Sequence, residues 1–209
     1  GGRGMHPEFQ RIATRIMKKY DSPIMLNAIG NGWAGPLILD IGSEEQKKRY
    51  IKPMLAAEEI WCQGFSEPEN GSDLGNAQTR AVRDGDEYVV NGSKIWTSLG
   101  DRAHMMILLA RTNPDAPNKY AGLSFFLSPM RIPGIETRRI KKLTGEYGFV
   151  QTFFDNARIP ASDIMGEEGQ GWLVAMKTLE YERGAKVNLA GGSFAKEMDV
   201  MEILDLARN

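Results

Sequence analysis

The stretch RDGDEYVVNGSKIWTS, Arg83 to Ser98, decides how the middle of this chain folds. Asp84-Gly85 and Asn91-Gly92 are the dipeptides that supply the left-handed backbone of tight hairpin turns, and each stands between β-rich runs. Both are read as hairpin turns. Downstream, Met105 to Ala110, Leu123 to Leu127, Ile135 to Ile140 and Val150 to Phe154 are further strand candidates. Short strands punctuated at this spacing predict an antiparallel sandwich or barrel and argue against a doubly wound sheet.

Working outward, the period on the upstream side becomes helical. Pro7 suits a first helical turn, after which Phe9, Ile12, Ile16 and Met17 recur at three- and four-residue spacing. Asp21-Ser22-Pro23 stops that helix. A second apolar stripe, Met25, Leu26, Ile29, Trp33, Leu37 and Ile38, is weakened or kinked by Gly30, Gly32, Gly35 and Pro36. Ser43 and Gln46 form a capping-box signature for a third helix, which Pro53 is expected to break or bend before Leu55. On the downstream side, Arg158-Ile159-Pro160 leads through Gly166, Gly169 and Gly171 into another helix. There Trp172, Met176, Leu179, Arg183 and Val187 share a face. The fold class is therefore α+β. Helices occupy residues 1–59, a β-block residues 60–166, and a further helix begins in residues 167–209. The opening Gly1-Gly2-Arg3-Gly4 and the closing Ile203 to Asn209, an unfinished amphipathic pattern, read as cuts in a longer protein.

Composition narrows the function. Of 209 residues, 42% are hydrophobic and 25% charged, which is ordinary globular usage. The 26 basic and 27 acidic residues give a net charge of -1, which argues against a nucleic-acid-binding surface or a polybasic membrane patch. Cys62 is the single cysteine, so there is no internal disulfide, and a reducing compartment is expected: bacterial cytoplasm or mitochondrial matrix. His6 and His104 lie too far apart in sequence to suggest a histidine-rich metal site, and no metal ligands are predicted. No apolar run approaches the ~18 residues of a membrane span.

Three segments carry chemistry. In WCQGFSEPENGSD, Trp61 to Asp73, a strand delivers Ser66 into a loop where Gly71 permits close backbone approach and Ser72 can donate to phosphate oxygens. The competing reading is a loop whose Ser72 and Asp73 only cap a turn. In NGSKIWTSLGDRAHMMILLART, Trp96 beside the hydroxyls of Thr97 and Ser98 is a plausible wall for a planar heterocycle, or else a core residue of the β-block. Glu180-Tyr181-Glu182-Arg183, on the last helix, offers carboxylates; Glu182 could equally pair with Lys186 as an exposed helix pair. Cys62 is read as a packed thiol and His104 as structural.

Taken together and in order, these segments resemble the acyl-CoA dehydrogenase family of flavoproteins. GSEEQKKRYIKPMLAAEEIWCQGFSEPENGSD is similar to the family's passage from its N-terminal helices into its first β-strand. DGDEYVVNGSKIWTS resembles its flavin-facing hairpin, and FFDNARIPASDIMGEEGQGW its exit into the C-terminal helical domain. This implies an N-terminal helical domain over 1–59, a middle β-domain over 60–166 and the start of a C-terminal helical-bundle domain over 167–209. The resemblance implies FAD as cofactor, held by Gln63, Phe65, Ser66, Gly71, Ser72, Trp96, Thr97 and Ser98. In this pattern Phe65 and Ser66 lie by the pyrimidine edge, Trp96 covers the flavin ring and Ser98 nears its N5–O4 side. Ser72, Glu180 and Arg183 would meet the acyl-CoA substrate. Glu69-Asn70 depart from the family's frequent Gly-Ala, and Leu99 from a frequent polar residue. The implied reaction is α,β-desaturation of an acyl-CoA thioester, by α-proton abstraction and β-hydride transfer to flavin N5. Electron-transfer flavoprotein is the implied acceptor, and a homo- or hetero-oligomer, dimer or tetramer, the implied assembly. Most relatives place the glutamate base on a later helix; a minority place it where Glu182 stands. Two alternatives stand beside this reading: a non-catalytic fragment or subunit, and an acyl-CoA oxidase or flavin monooxygenase of the same fold.

Overall fold

A computed structural model of the chain describes residues 5–6, 8–20 and 25–183. Helix α1 (Glu8–Lys18) forms as its periodicity predicts, but Phe9, Ile12, Ile16 and Met17 stay about half exposed. The glycine-rich second stripe resolves into a π-helical turn, Gly30–Ala34, running into α2 (Gly35–Ile41) with Pro36 at its start, where a missing N–H costs nothing. The turn is held by Asn27, whose amide donates to Met54 O (2.8 Å) and Glu59 O (3.0 Å) and whose Oδ1 accepts from Trp61 N (3.0 Å). Gly30 must lack a side chain for this, because a Cβ there would lie 2.5 Å from Asn27 Oδ1.

Helix α3 (Glu44–Leu55) starts on the expected capping box, with Ser43 Oγ accepting from Gln46 N (3.2 Å) and Gln46 Oε1 from Ser43 N (3.1 Å). Pro53 does not break it. The helix runs through Pro53 and ends where Ala57 turns left-handed (φ 56°), with Glu58 N donating to Pro53 O.

Seven strands follow: β1 (Trp61–Gly64), β2 (Arg80–Asp84), β3 (Glu87–Ser98), β4 (Met105–Arg111), β5 (Leu123–Pro129), β6 (Ile135–Lys141) and β7 (Tyr147–Pro160). They form one sheet in the order β1-β4-β2-β3-β7-β6, with β5 on β4. Most ladders are antiparallel, but β1 runs parallel to β4, so the sheet is mixed where a purely antiparallel one is expected. The cause is connectivity: the chain leaves β1 through a long loop and the β2–β3 hairpin before returning to β4 in the same direction.

Asp84-Gly85 makes the expected hairpin, with Gly85 left-handed (φ 62°) between β2 and β3. Asn91-Gly92 makes no turn. It lies inside β3 as a bulge, where the register against β7 slips between Val90 and Gly92. Two contacts fix it there: Asn91 Oδ1 accepts from Asn156 N (2.9 Å), and Gly92, at φ 141°, lets Thr79 approach so closely that a Cβ would lie 2.8 Å from Thr79 Cα.

Strand β4 is buried on both faces, and its alternation splits the core in two. Met105, Ile107 and Leu109 join Trp61, Phe65, Phe125 and the helices in one cluster. Met106, Leu108 and Ala110 join Cys62, Tyr88, Phe126 and Ile159 in the other.

Helix α4 (Gly171–Glu182) packs across β5 and α2. Its buried face is Val174, Ala175, Thr178 and Tyr181; of the residues read as sharing one face, Trp172, Met176 and Leu179 flank it half-buried, Arg183 is exposed and Val187 lies outside the described residues. Gly171 sits against the backbone of Ser124, and a Cβ would stand 2.5 Å from Ser124 Cα. Gly171→Ala is therefore expected to lower stability by about 1–3 kcal/mol, read by urea denaturation, since backbone cannot step aside as a flexible side chain does. A neutral effect would show that α4 is not seated on β5 this closely.

Candidate active site

One cavity of about 150 Å³ collects residues from four separate parts of the chain: Gln63 in β1 with Phe65 and Ser66 just after it, Ile95, Trp96 and Ser98 at the end of β3, Ile29 and Trp33 from the helical region, and Glu182 at the end of α4. Six of the predicted site residues, Gln63, Phe65, Ser66, Trp96, Ser98 and Glu182, meet there. Ile29, Trp33 and Ile95 were not legible as site residues; the one hint was a tryptophan set among glycines, Gly30-Asn31-Gly32-Trp33.

Each wall has a local cause. Phe65 is buried edge-to-face on Phe125 (centroids 5.8 Å, 85°), which anchors the loop leaving β1. Beyond it, Glu67 and Asn70 exchange backbone bonds (3.0 and 3.1 Å), so Pro68-Glu69 forms a closed two-residue turn and the Glu69-Asn70 departure is accommodated at its tip. Ser66 O accepts from Ile95 N (2.8 Å), stitching this loop to β3.

Strand β3 ends in a second irregularity, a register slip between Lys94 and Thr97. Trp96 is left-handed at φ 61°, as is Leu99 at φ 61°, a conformation that costs a non-glycine residue about 1–2 kcal/mol. The effect is to turn Trp96 outward, 57% exposed, with its edge braced on Phe149 (6.1 Å, 88°). Thr97 is correspondingly turned inward and fully buried, away from the cavity. Strain of this kind concentrates at functional sites.

Other expected residues lie elsewhere. Gly71 and Ser72 are exposed and do not line the cavity; the adjacent Asp73 pairs with Lys119 (2.6 Å). Glu180 and Arg183 are exposed on and just beyond α4 and do not line it. Lys186 lies outside the described residues. Cys62 is wholly buried, and burial pushes its thiol up, which suits a packing role. His104 Nδ1 accepts from Ile60 N (3.1 Å), a structural contact.

Glu182 reaches solvent at the cavity mouth, yet its surroundings desolvate the carboxyl and raise its pKa above the usual range, against the lowering effects of the Gln63 side chain and the Arg183 charge. A carboxylate so placed holds a proton more readily than a free one, the property a general base needs near neutral pH. Opposite it, the buried Gln63 Oε1 has no hydrogen-bond partner among the described residues.

Behind the wall lies a buried ion pair that sequence did not suggest. Lys94 Nζ, fully buried, is 2.8 Å from Glu67 Oε1 and 3.1 Å from Phe65 O. Glu67 also accepts from Gln78 N (2.6 Å) and Thr79 N (2.8 Å).

Comparison with known proteins agrees with this architecture. Residues 1–58 match the acyl-CoA dehydrogenase N-terminal domain and residues 62–157 its middle domain. The chain is 38% identical over 208 residues to acyl-CoA dehydrogenase IpdE1 of Mycobacterium tuberculosis, covering 100% of this chain and 53% of that protein. It is 36% identical over 187 residues to the human mitochondrial short-chain specific acyl-CoA dehydrogenase, covering 88% and 45%. Among solved structures, a variant of the Tcur3481-Tcur3483 steroid ACAD superposes with a TM-score of 0.80 at 34% identity, covering 88% of this chain and 47% of that one. The chain spans about half the length of the curated relatives it matches. With the helices, the mixed sheet and both domain matches in agreement, the chain belongs to the acyl-CoA dehydrogenase family, oxidoreductases of the CH–CH group that are generally FAD-dependent.

Proposed function

We propose that this chain supplies the flavin-facing wall and the base of an FAD-dependent acyl-CoA dehydrogenase. The observation that carries the reading is the single cavity in which Gln63, Ser66, Trp96 and Ser98 face Glu182. The residues fit the cofactor. A buried acceptor without a partner, Gln63 Oε1, costs about 1–3 kcal/mol, which a ligand N–H offsets. Trp96 presents an open aromatic face, and Gly71 borders open space, with nothing within 4 Å of where a Cβ would stand. That leaves the Gly71-Ser72 backbone accessible to phosphate oxygens.

When bound, FAD accepts the β-hydrogen of the substrate as hydride. The chain's own part is position and proton transfer. Glu182 Oε takes the acyl α-proton, and the desolvation that raises its pKa matches it to that task. Trp96 and Trp33, both lining the cavity, exclude water from it, and Gln63 orients the Glu182 carboxyl through its side-chain amide. Ser72, Glu180 and Arg183, exposed and outside the cavity lining, are assigned on the family resemblance alone to the thioester's pantetheine and acyl path. Acyl-CoA as substrate, electron-transfer flavoprotein as acceptor and an oligomeric assembly belong to the same reading. So do the division at residues 1–59, 60–166 and 167–209 and the reducing compartment. Among the described residues no helix is long and apolar enough to cross a membrane.

Purified full-length protein is expected to carry flavin absorbance that bleaches anaerobically on adding an acyl-CoA. Both a short straight-chain and a steroid-derived thioester belong in the panel, given the names of the relatives. A colourless protein, or a flavin that no thioester bleaches, would sink the reading. Rapid reoxidation by O₂ would instead point to an oxidase or monooxygenase.

A further inference from the structure

We propose that Lys94 and Glu67 are a positioning pair for the cofactor wall, setting the spacing between the Phe65–Ser66 loop and the Trp96–Ser98 end of β3. Neither residue lines the cavity, so any influence they have on its contents must pass through the groups they hold. Lys94 donates to the carbonyl of Phe65, a lining residue, and lies two residues before Trp96; Glu67 follows Ser66 directly. The pair therefore cross-links the two lining segments at their roots, and Ile95 N to Ser66 O (2.8 Å) completes the link.

Stability alone is a poor reason for this arrangement. The Lys94 and Glu67 side chains are 0% and 5% exposed, and removing two charges from water costs several kcal/mol per ion, which their attraction and hydrogen bonds roughly cancel. Well-packed apolar replacements of buried ion pairs are often neutral or stabilising for that reason. What such replacements lack is direction: an ammonium donating to one chosen carbonyl, and a carboxylate receiving Gln78 N, Thr79 N and Lys94 at once. Glu67 also joins the loop to the approach to β2, where Thr79 O accepts from Arg111 N (2.7 Å). The left-handed Trp96 needs such a fixed base, because a strained residue persists only where its surroundings over-determine it.

The inference rests on the reading that this cavity takes FAD, and the test separates the two. In the full-length protein, wild type is first titrated with FAD; failure to bind would overturn the functional reading itself. The double variant Lys94→Met/Glu67→Leu is then compared with wild type by thermal unfolding, FAD dissociation constant and the shape of the bound flavin's visible band. A positioning role predicts a double variant that still unfolds cooperatively, its midpoint lowered by the unpaired Gln78 N, Thr79 N and Phe65 O, with FAD affinity at least tenfold weaker and a band shifted towards that of free FAD. Wild-type affinity and band shape in a folded double variant would overturn it. Glu67→Asp, which keeps the charge but shortens the reach, is the second probe: it should fold and also weaken FAD at least tenfold. If the double variant does not fold, Glu67→Asp decides; if neither folds, the pair is a requirement of the fold and the positioning role fails.

Discussion

Glu182→Gln is expected to lower turnover of the full-length enzyme by about 10³-fold, the mid-range for loss of a positioned general base. Glutamine keeps the size of the side chain and its contact with Gln63, but it cannot accept the α-proton. Substrate binding should change little, so the loss falls on kcat and not on KM. The wild-type pH profile carries a second signature. Burial raises the Glu182 pKa above that of a free carboxyl. A base works only when ionised, so kcat/KM should fall as pH drops through that raised value, earlier than an exposed glutamate would allow. The sign for stability is opposite. A carboxyl whose folded pKa is raised favours the folded state at low pH and loses that contribution as pH rises through the folded value. Glu182→Gln should therefore be slightly more stable than wild type at neutral pH, the usual trade between function and stability. Turnover within threefold of wild type would move the base to another residue.

Phe125→Ala is expected to cost about 3–5 kcal/mol of stability, among the largest effects of any substitution in this chain. Phe125 lies in the middle of β5, fully buried in the cluster that joins the sheet to α2 and α4. Its ring also meets Phe65 edge-to-face, so the same change removes the anchor of the cavity loop. Urea denaturation gives the stability term, and FAD titration of the folded fraction should show weakened binding as well. A cost below about 1 kcal/mol would mean that the site collapses around the missing ring, and that the Phe65 loop has another anchor.

How much of this was legible in sequence follows the range of each interaction. Ser43 with Gln46 and Asp84 with Gly85 are local devices, and both act as their spacing predicts. Asn91-Gly92 carries the same local signal as a turn, but its use is decided by Asn156 and Thr79, which no window around it contains. Pro53 carries a local signal for a break, yet the helix runs through it to Leu55, giving up only the bond its missing N–H would make to the carbonyl four residues earlier. The resemblance to a flavoprotein family brought out Gln63, Ser66, Trp96, Ser98 and Glu182 as a set, and the fold brings them to one cavity. Thr97 stands with Trp96 and Ser98 in the resemblance, but neighbouring residues of a strand face opposite ways, and Thr97 turns into the core. Lys94 and Glu67 are 27 residues apart in sequence, and only the sheet brings them together.

The parallel pairing of β1 with β4 has a consequence for how the chain acquires its shape. Gly64 pairs with Leu108, so β1 finds its place only after everything between has been looped back, whereas β2 and β3 close through a two-residue turn. Closure of a long loop must be met in entropy before its contacts repay it, and non-local pairings of this kind are slow. The segment that follows β1 is the one that lines the cavity. Its order therefore depends on a closure spanning residues 61–108, which the two-residue turn between β2 and β3 does not need.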